Sequence, residues 1–197
     1  MNSVTTPTAL EQSVTFAPLL LIAAPALHDP TFAHTVILLV ESGASGSYGV
    51  VINRPAPVDL GALLDSAGIA RTIADKQSVW LGGPVQPQSG LVLFRTEPGQ
   101  SEYEPQADVI PGLRVSSSME LLRDVAHGLG PRKFALYLGR ASWDAGQLEA
   151  EINAGVWLPA EPDLSLLFHL DQEDVWKRAL RLLGADPAIV ATVPAEA

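Results

Sequence analysis

The sequence contains no cysteine. That excludes disulfides, thiolate metal sites, iron–sulfur clusters and a cysteine nucleophile. Positive charge is also scarce: 12 Lys plus Arg stand against 22 Asp plus Glu, for a net charge of −10. Duplex nucleic acid is held through clustered cations. No run of five basic residues occurs and no short helix–turn–helix stands out, so the sequence argues against direct DNA binding. Long apolar runs are missing too. The segment Phe16–Pro25 has the hydrophobicity of a secretory leader, but the first cation of the chain is Arg54. The run also falls short of the roughly 20 residues that span a bilayer. It reads as a buried strand, and no membrane partner is expected.

Chemical signatures are equally sparse. There is no Gly-Lys-Ser/Thr phosphate loop, no GxGxxG and no HExxH. The nearest approach to a nucleophile elbow, Gly43-Ala44-Ser45-Gly46-Ser47, fails at its fifth position. Glu149 and Glu151 lie two apart on an expected helix and so point about 200° apart, which removes them as an acid–base pair. His28-Asp29 is followed by Pro30 and reads as turn chemistry, because a metal site needs three or four convergent ligands. No metal and no cofactor is implied.

What remains is a chain of 197 residues, 47% hydrophobic, which is enough for one domain with a substantial core. Residues 1–13 are Thr/Ser-rich without periodicity and read as a flexible tail, as do residues 191–197; 14–190 form the expected domain. Leu19–Ala23 and Thr35–Val40 read as strands. A Gly/Ser turn over Glu41–Ser47 joins the latter to Tyr48–Asn53 in a hairpin. Pro55 and Pro57 end that strand, and Asp59 caps a helix carrying Leu60, Leu63 and Leu64. Ser78–Leu81, Leu91–Arg95 and Leu113–Ser116 are further strands, and residues 96–107 read as a mobile loop. Ser117-Ser118-Met119-Glu120 matches a capping box. Phe134–Gly139 is a strand, and Ser142 is placed to cap a helix bearing Leu148 and Ile152. A last helix runs from near Asp171 to Gly184, with Trp176, Ala179, Leu180 and Leu183 as its apolar stripe. The pattern predicts a single α+β domain, with a mixed, mainly antiparallel sheet or partial barrel and helices packed against it.

Three segments could hold a ligand. Asn53-Arg54 ends a buried strand with an amide and a permanent cation. Gly82 and Gly83 could bring backbone N–H groups to an anion, although turn geometry explains them equally well. Arg140, Ser142 and Trp143 sit at an expected strand-to-helix junction, where free N–H groups favour negative charge. The constellation Asn53, Arg54, Gly82, Gly83, Arg140, Ser142 and Trp143 is the expected ligand-binding surface, provided these strand and helix ends converge.

Several ordered segments together resemble the YqgE/AlgH family. They are Leu21-Ile22-Ala23-Ala24-Pro25 with Asp29-Pro30-Thr31-Phe32, then Gly49-Val50-Val51-Ile52-Asn53-Arg54-Pro55, and Leu81-Gly82-Gly83-Pro84-Val85 with Gly90. The most specific is Ala141-Ser142-Trp143 with Gly146-Gln147-Leu148-Glu149 and Glu151-Ile152; Trp157-Leu158, Pro162-Asp163 and Leu167-Phe168 follow. The resemblance spans roughly residues 17–190. One departure is Arg140, which stands where the family usually has Tyr. The resemblance implies a bacterial, cytoplasmic single α+β domain. Some members are called transcriptional regulators of alginate synthesis on genetic grounds. It carries over no catalytic residue.

The expected function is a non-catalytic binding or regulatory module acting through a small ligand or a protein partner. Two alternatives stand beside it: a hydrolase-like enzyme with convergent groups such as Ser142 and His169, and a transcriptional regulator, direct or indirect.

Overall fold

The structure is a computed structural model and describes residues 18–73, 77–99, 102–168 and 173–185. The strands are β1 (Leu19–Ala23), β2 (Val36–Gly43), β3 (Gly46–Val51), β4 (Pro55–Asp59), β5 (Ser78–Leu81), β6 (Val85–Arg95), β7 (Gln106–Ile110), β8 (Leu113–Ser116), β9 (Phe134–Trp143) and β10 (Trp157–Ala160). The helices are α1 (Leu60–Ser66), α2 (Met119–Ala126), α3 (Gln147–Asn153), α4 (Leu164–Leu167) and α5 (Glu173–Leu182). The main path of the sheet is β10-β1-β2-β3-β9-β6-β8-β7, while β4 pairs with β5 and β5 pairs with β9. The one parallel pairing is β5 with β9; the rest are antiparallel. This is the α+β arrangement that the pattern predicts.

The long strand β9 organises the molecule. Its first half, Phe134–Leu138, pairs with β6 on one edge and β5 on the other. Its second half, Ala141–Trp143, pairs with β3. The change of partner falls at Gly139, whose φ of +70° is open to glycine at little cost. Two cores follow. Leu20–Ala23, Val36–Leu39, Val50, Tyr137, Leu148, Trp157 and Leu180 belong to one, and Leu60, Leu64, Val79, Phe94, Tyr103, Leu121 and Leu136 to the other. Strand β1 and the first five residues of β2, Val36–Val40, are apolar throughout because both of their faces are covered.

Local signals set several boundaries. Asp59 caps α1 by accepting from the Ala62 N–H at 2.8 Å, and Ser118 caps α2 through the Glu120 N–H at 3.2 Å. The β2–β3 hairpin is tighter than its Gly/Ser content suggests, since Gly43 pairs with Gly46 and only Ala44-Ser45 turn.

Other expectations are corrected. The strand expected through Asn53 ends at Val51, before the prolines, and Pro55 and Pro57 instead build β4, a strand with a neighbour on one side only, where a missing N–H costs least. Residues 96–107 are not a free loop throughout, because Gln106 opens β7 and Tyr103 is buried with its hydroxyl donating to Asp124 at 3.0 Å. β10 pairs with β1 although its sequence carries Pro159. Ser142 does not cap a helix. It lies inside β9 opposite Tyr48, and Gly146 is the residue before α3. Leu183 follows the end of α5, is 41% exposed and lies outside the buried stripe of Trp176, Ala179 and Leu180. Asp171 and both expected tails lie outside the described residues.

Candidate functional site

Asn53 follows β3 and acts as a strand extension made of side-chain atoms. Its Oδ1 accepts from the Val36 N–H at 2.9 Å, and its Nδ2 donates to the His34 carbonyl at 2.9 Å. This double clamp holds His34 at φ +58°, a left-handed conformation that non-glycine residues adopt at a cost of about 1–2 kcal/mol. The His34 ring is thereby set against the Trp176 indole, with centroids 4.4 Å apart. Trp176 is itself fixed, because its Nε1 donates to the Ala23 carbonyl at 2.8 Å.

Arg54 comes next in the chain. Its Nη2 donates to the Ala33 carbonyl at 3.0 Å. A guanidinium has five N–H donors in a fixed fork, so this bond orients the group and leaves most of its donors unspent. Arg71, Arg114 and Arg132 pair with Asp65, Asp108 and Glu97, whereas Arg54 and Lys177 pair with no carboxylate among the described residues. Arg54, His34, Asn53, Trp176 and Lys177 line one open cavity of about 660 Å³, and among the described residues no carboxylate lines it. On a chain of net charge −10, that is a local reversal of sign.

Arg140 faces a different cavity, of about 240 Å³, with Tyr48, Gln86, Ser89 and Ser117. Ser142 and Trp143 border a third, of about 160 Å³. Gly82 and Gly83 line none of these three. They cross the β9 backbone instead: a Cβ on Gly82 would overlap the Gly139 carbonyl, and one on Gly83 would overlap Arg140. The Gly82 N–H donates to the Leu138 carbonyl at 2.7 Å and its carbonyl accepts from Val51 at 2.9 Å, so its backbone groups are spent in the sheet. The structure therefore brings Asn53 and Arg54 together and distributes the rest of the expected constellation elsewhere.

Trp143 has a structural partner. Its Nε1 and that of Trp157 both donate to Oε2 of Glu151, at 2.9 and 2.7 Å. Gln147 donates to Oε1 of the same carboxylate at 2.8 Å and accepts from the Asp144 N–H at 3.0 Å. The two indoles meet edge to face at 5.9 Å. His169 lies outside the described residues. Among the described residues, no group of three or more His, Asp or Glu is placed to hold a metal ion.

A model of AlgH-like proteins matches residues 20–188. The chain belongs to the AlgH-like family. A UPF0301 protein of Ralstonia nicotianae is 41% identical over 173 residues, covering 87% of this chain and 90% of that protein. One from Marinomonas is 42% identical over 168 residues, covering 84% and 88%. The solution structure of the AlgH protein from Pseudomonas aeruginosa superposes with a TM-score of 0.74 at 34% identity, over 98% of this chain and all of that one. A crystal structure of a protein from Corynebacterium diphtheriae shares the fold, with a TM-score of 0.71 at 22% identity over 94% and 96%. In this AlgH-like chain, the segment Ala141–Ile152 joins β9 to α3 and supplies Trp143, Gln147 and Glu151 to the indole–carboxylate cluster.

Sequence reasoning reaches Asn53 and Arg54 but not His34, Trp176 or Lys177. The missing signal is the β2–β3 register, which sets His34 and Asn53 side by side. Position along α5 then supplies Trp176 and Lys177.

Proposed function

We propose that this AlgH-like chain is a binding module whose ligand is a small phosphate-bearing anion held in the Arg54 cavity. One observation carries the reading: among the described residues, the Arg54 guanidinium is fixed by a single bond to Ala33 and is otherwise unpaired in a cavity shared with His34 and Lys177. Arg presents a planar fork that matches phosphate oxygens bidentately, Lys adds a point charge, and the His34 ring adds an N–H donor. The cavity of about 660 Å³ falls within the ~300–1,000 Å³ usual for small-molecule sites. The strain at His34 supports the same reading, since backbone strain concentrates at ligand sites.

Binding rather than catalysis fits the residues at hand, because the cavity presents cations and an amide with no nucleophile beside a base. A regulatory role would then follow from ligand occupancy and protein contacts rather than from grasping DNA, which the net charge of −10 opposes. No described helix is long and apolar enough to cross a membrane, and we place the working protein in the cytoplasm.

A thermal-shift screen of the full chain at low salt tests the ligand class. A phosphate compound at 100 times its dissociation constant adds about 2.7 kcal/mol, or roughly 5–10 °C for a domain of this size. Arg54→Gln is expected to remove that shift. A screen flat for every phosphate compound would overturn the small-ligand reading in favour of a protein partner.

A further inference from the structure

We propose that the cavity around Arg140 is a second, independent site, which takes a small organic monocarboxylate. Among the described residues, its one charged lining residue is Arg140, and its volume is about 240 Å³. That volume lies below the ~300–1,000 Å³ usual for drug-sized ligands, which favours a small molecule. A single cation complements a single negative charge. Leu91 and Val85 contribute apolar wall, which suits a carbon chain better than an inorganic ion.

The state of the guanidinium gives the second reason. Arg140 lies over the Tyr48 ring, with Cζ 5.1 Å from the centroid, and pairs with no carboxylate among the described residues. Its Nε is buried without a hydrogen-bond partner among the described residues. Buried donors are satisfied in the great majority of proteins, so an orphan asks for an explanation. A carboxylate docked side-on against Nε and the adjacent Nη, after a small rotation of the side chain, would satisfy it through the bidentate geometry that guanidinium favours. Tyr48 does not compete as an anion: burial, and then the Glu41 charge, push its phenol up, against a smaller opposing effect of Arg140. The backbone at the rim is built with effort, since Gln86 holds φ +52° where β6 bulges away from β9.

The test is a titration of the full chain with sodium butyrate, read on the side-chain Nε–H resonances of its arginines, with inorganic phosphate as the comparison. The Arg140 Nε–H signal is expected to move and saturate with butyrate, and to respond far less to phosphate. Arg140→Lys keeps the charge but loses the fork, and is expected to weaken binding about tenfold. Ser89→Asp, at an exposed wall position, tests the charge logic without touching Arg140 and is expected to weaken binding to a similar degree. Lys177→Gln should titrate as the parent does, which separates this site from the Arg54 cavity. An unmoved Arg140 signal at the highest butyrate concentration, equal affinity in Arg140→Lys, or preference for phosphate would each overturn the proposal.

Discussion

Removing the Glu151 carboxylate should cost far more than its position on a surface helix suggests. Oε2 accepts from two indoles, Trp143 and Trp157, and Oε1 accepts from Gln147. Trp143 and Trp157 are only 6% and 2% exposed, so water cannot readily replace the lost acceptor. Leaving a buried donor unpaired costs about 1–3 kcal/mol. Two orphaned indoles in Glu151→Ala therefore cost roughly 2–6 kcal/mol, and the more exposed Gln147 bond adds little. Taking about 3 kcal/mol, the melting temperature falls by roughly 6–12 °C, at 2–4 °C per kcal/mol for a domain of this size. Glu151→Gln keeps one oxygen in reach of both indoles and should lose about half as much. Urea unfolding of the parent and both variants measures this directly. A Glu151→Ala variant within about 0.5 kcal/mol of the parent, the range of an ordinary surface change, would refute the reasoning.

Three further outcomes follow from the packing. Tyr137 is fully buried, its hydroxyl has no hydrogen-bond partner and burial pushes its phenol up; Tyr137→Phe should be neutral or stabilising by about 1 kcal/mol in denaturant unfolding, since it removes an unsatisfied group. His34→Gly relieves the left-handed strain and should raise stability by about 0.5–1 kcal/mol while weakening phosphate binding; a destabilised variant would show that the ring contact with Trp176 outweighs the strain. Gly83→Ala drives a methyl into the Arg140 backbone at φ +150°, and a soluble variant with an unchanged melting temperature would contradict the close crossing of β5–β6 over β9.

Much of the fold was legible where the signal is local. Asp59 and Ser118 cap helices where the sequence places them, and the β2–β3 hairpin follows from apolar runs around Gly and Ser. What was not legible depends on distant partners. β10 carries Pro159 and reads as a strand only because β1 supplies its partners. β9 runs through Ser142 because β3 pairs with its second half, so a residue with every local mark of a helix cap faces Tyr48 across a ladder. Gly82 and Gly83 offered two readings, an anion-binding backbone or a turn, and neither foresees their close approach to the backbone of Gly139 and Arg140. The site divides in the same way. Asn53 and Arg54 announce themselves by type, whereas His34 joins them only through the clamp on its carbonyl. Glu151 was set aside as an acid–base partner of Glu149 by its spacing, and its role between two indoles needs the turn from α3 into β10.

The central claim is that the Arg54 cavity binds a phosphate-bearing anion. It is tested most directly by calorimetric titration of the full chain with inorganic pyrophosphate at low salt, in parallel with Lys177→Gln. Lys177 is exposed and makes no structural hydrogen bond among the described residues, so its loss changes the cavity's charge and not the fold. The account expects saturable binding by the parent and roughly three- to tenfold weaker binding by the variant, the effect of one charge-assisted contact near a surface. No heat of binding in the parent, or equal affinity in the two proteins, would contradict it.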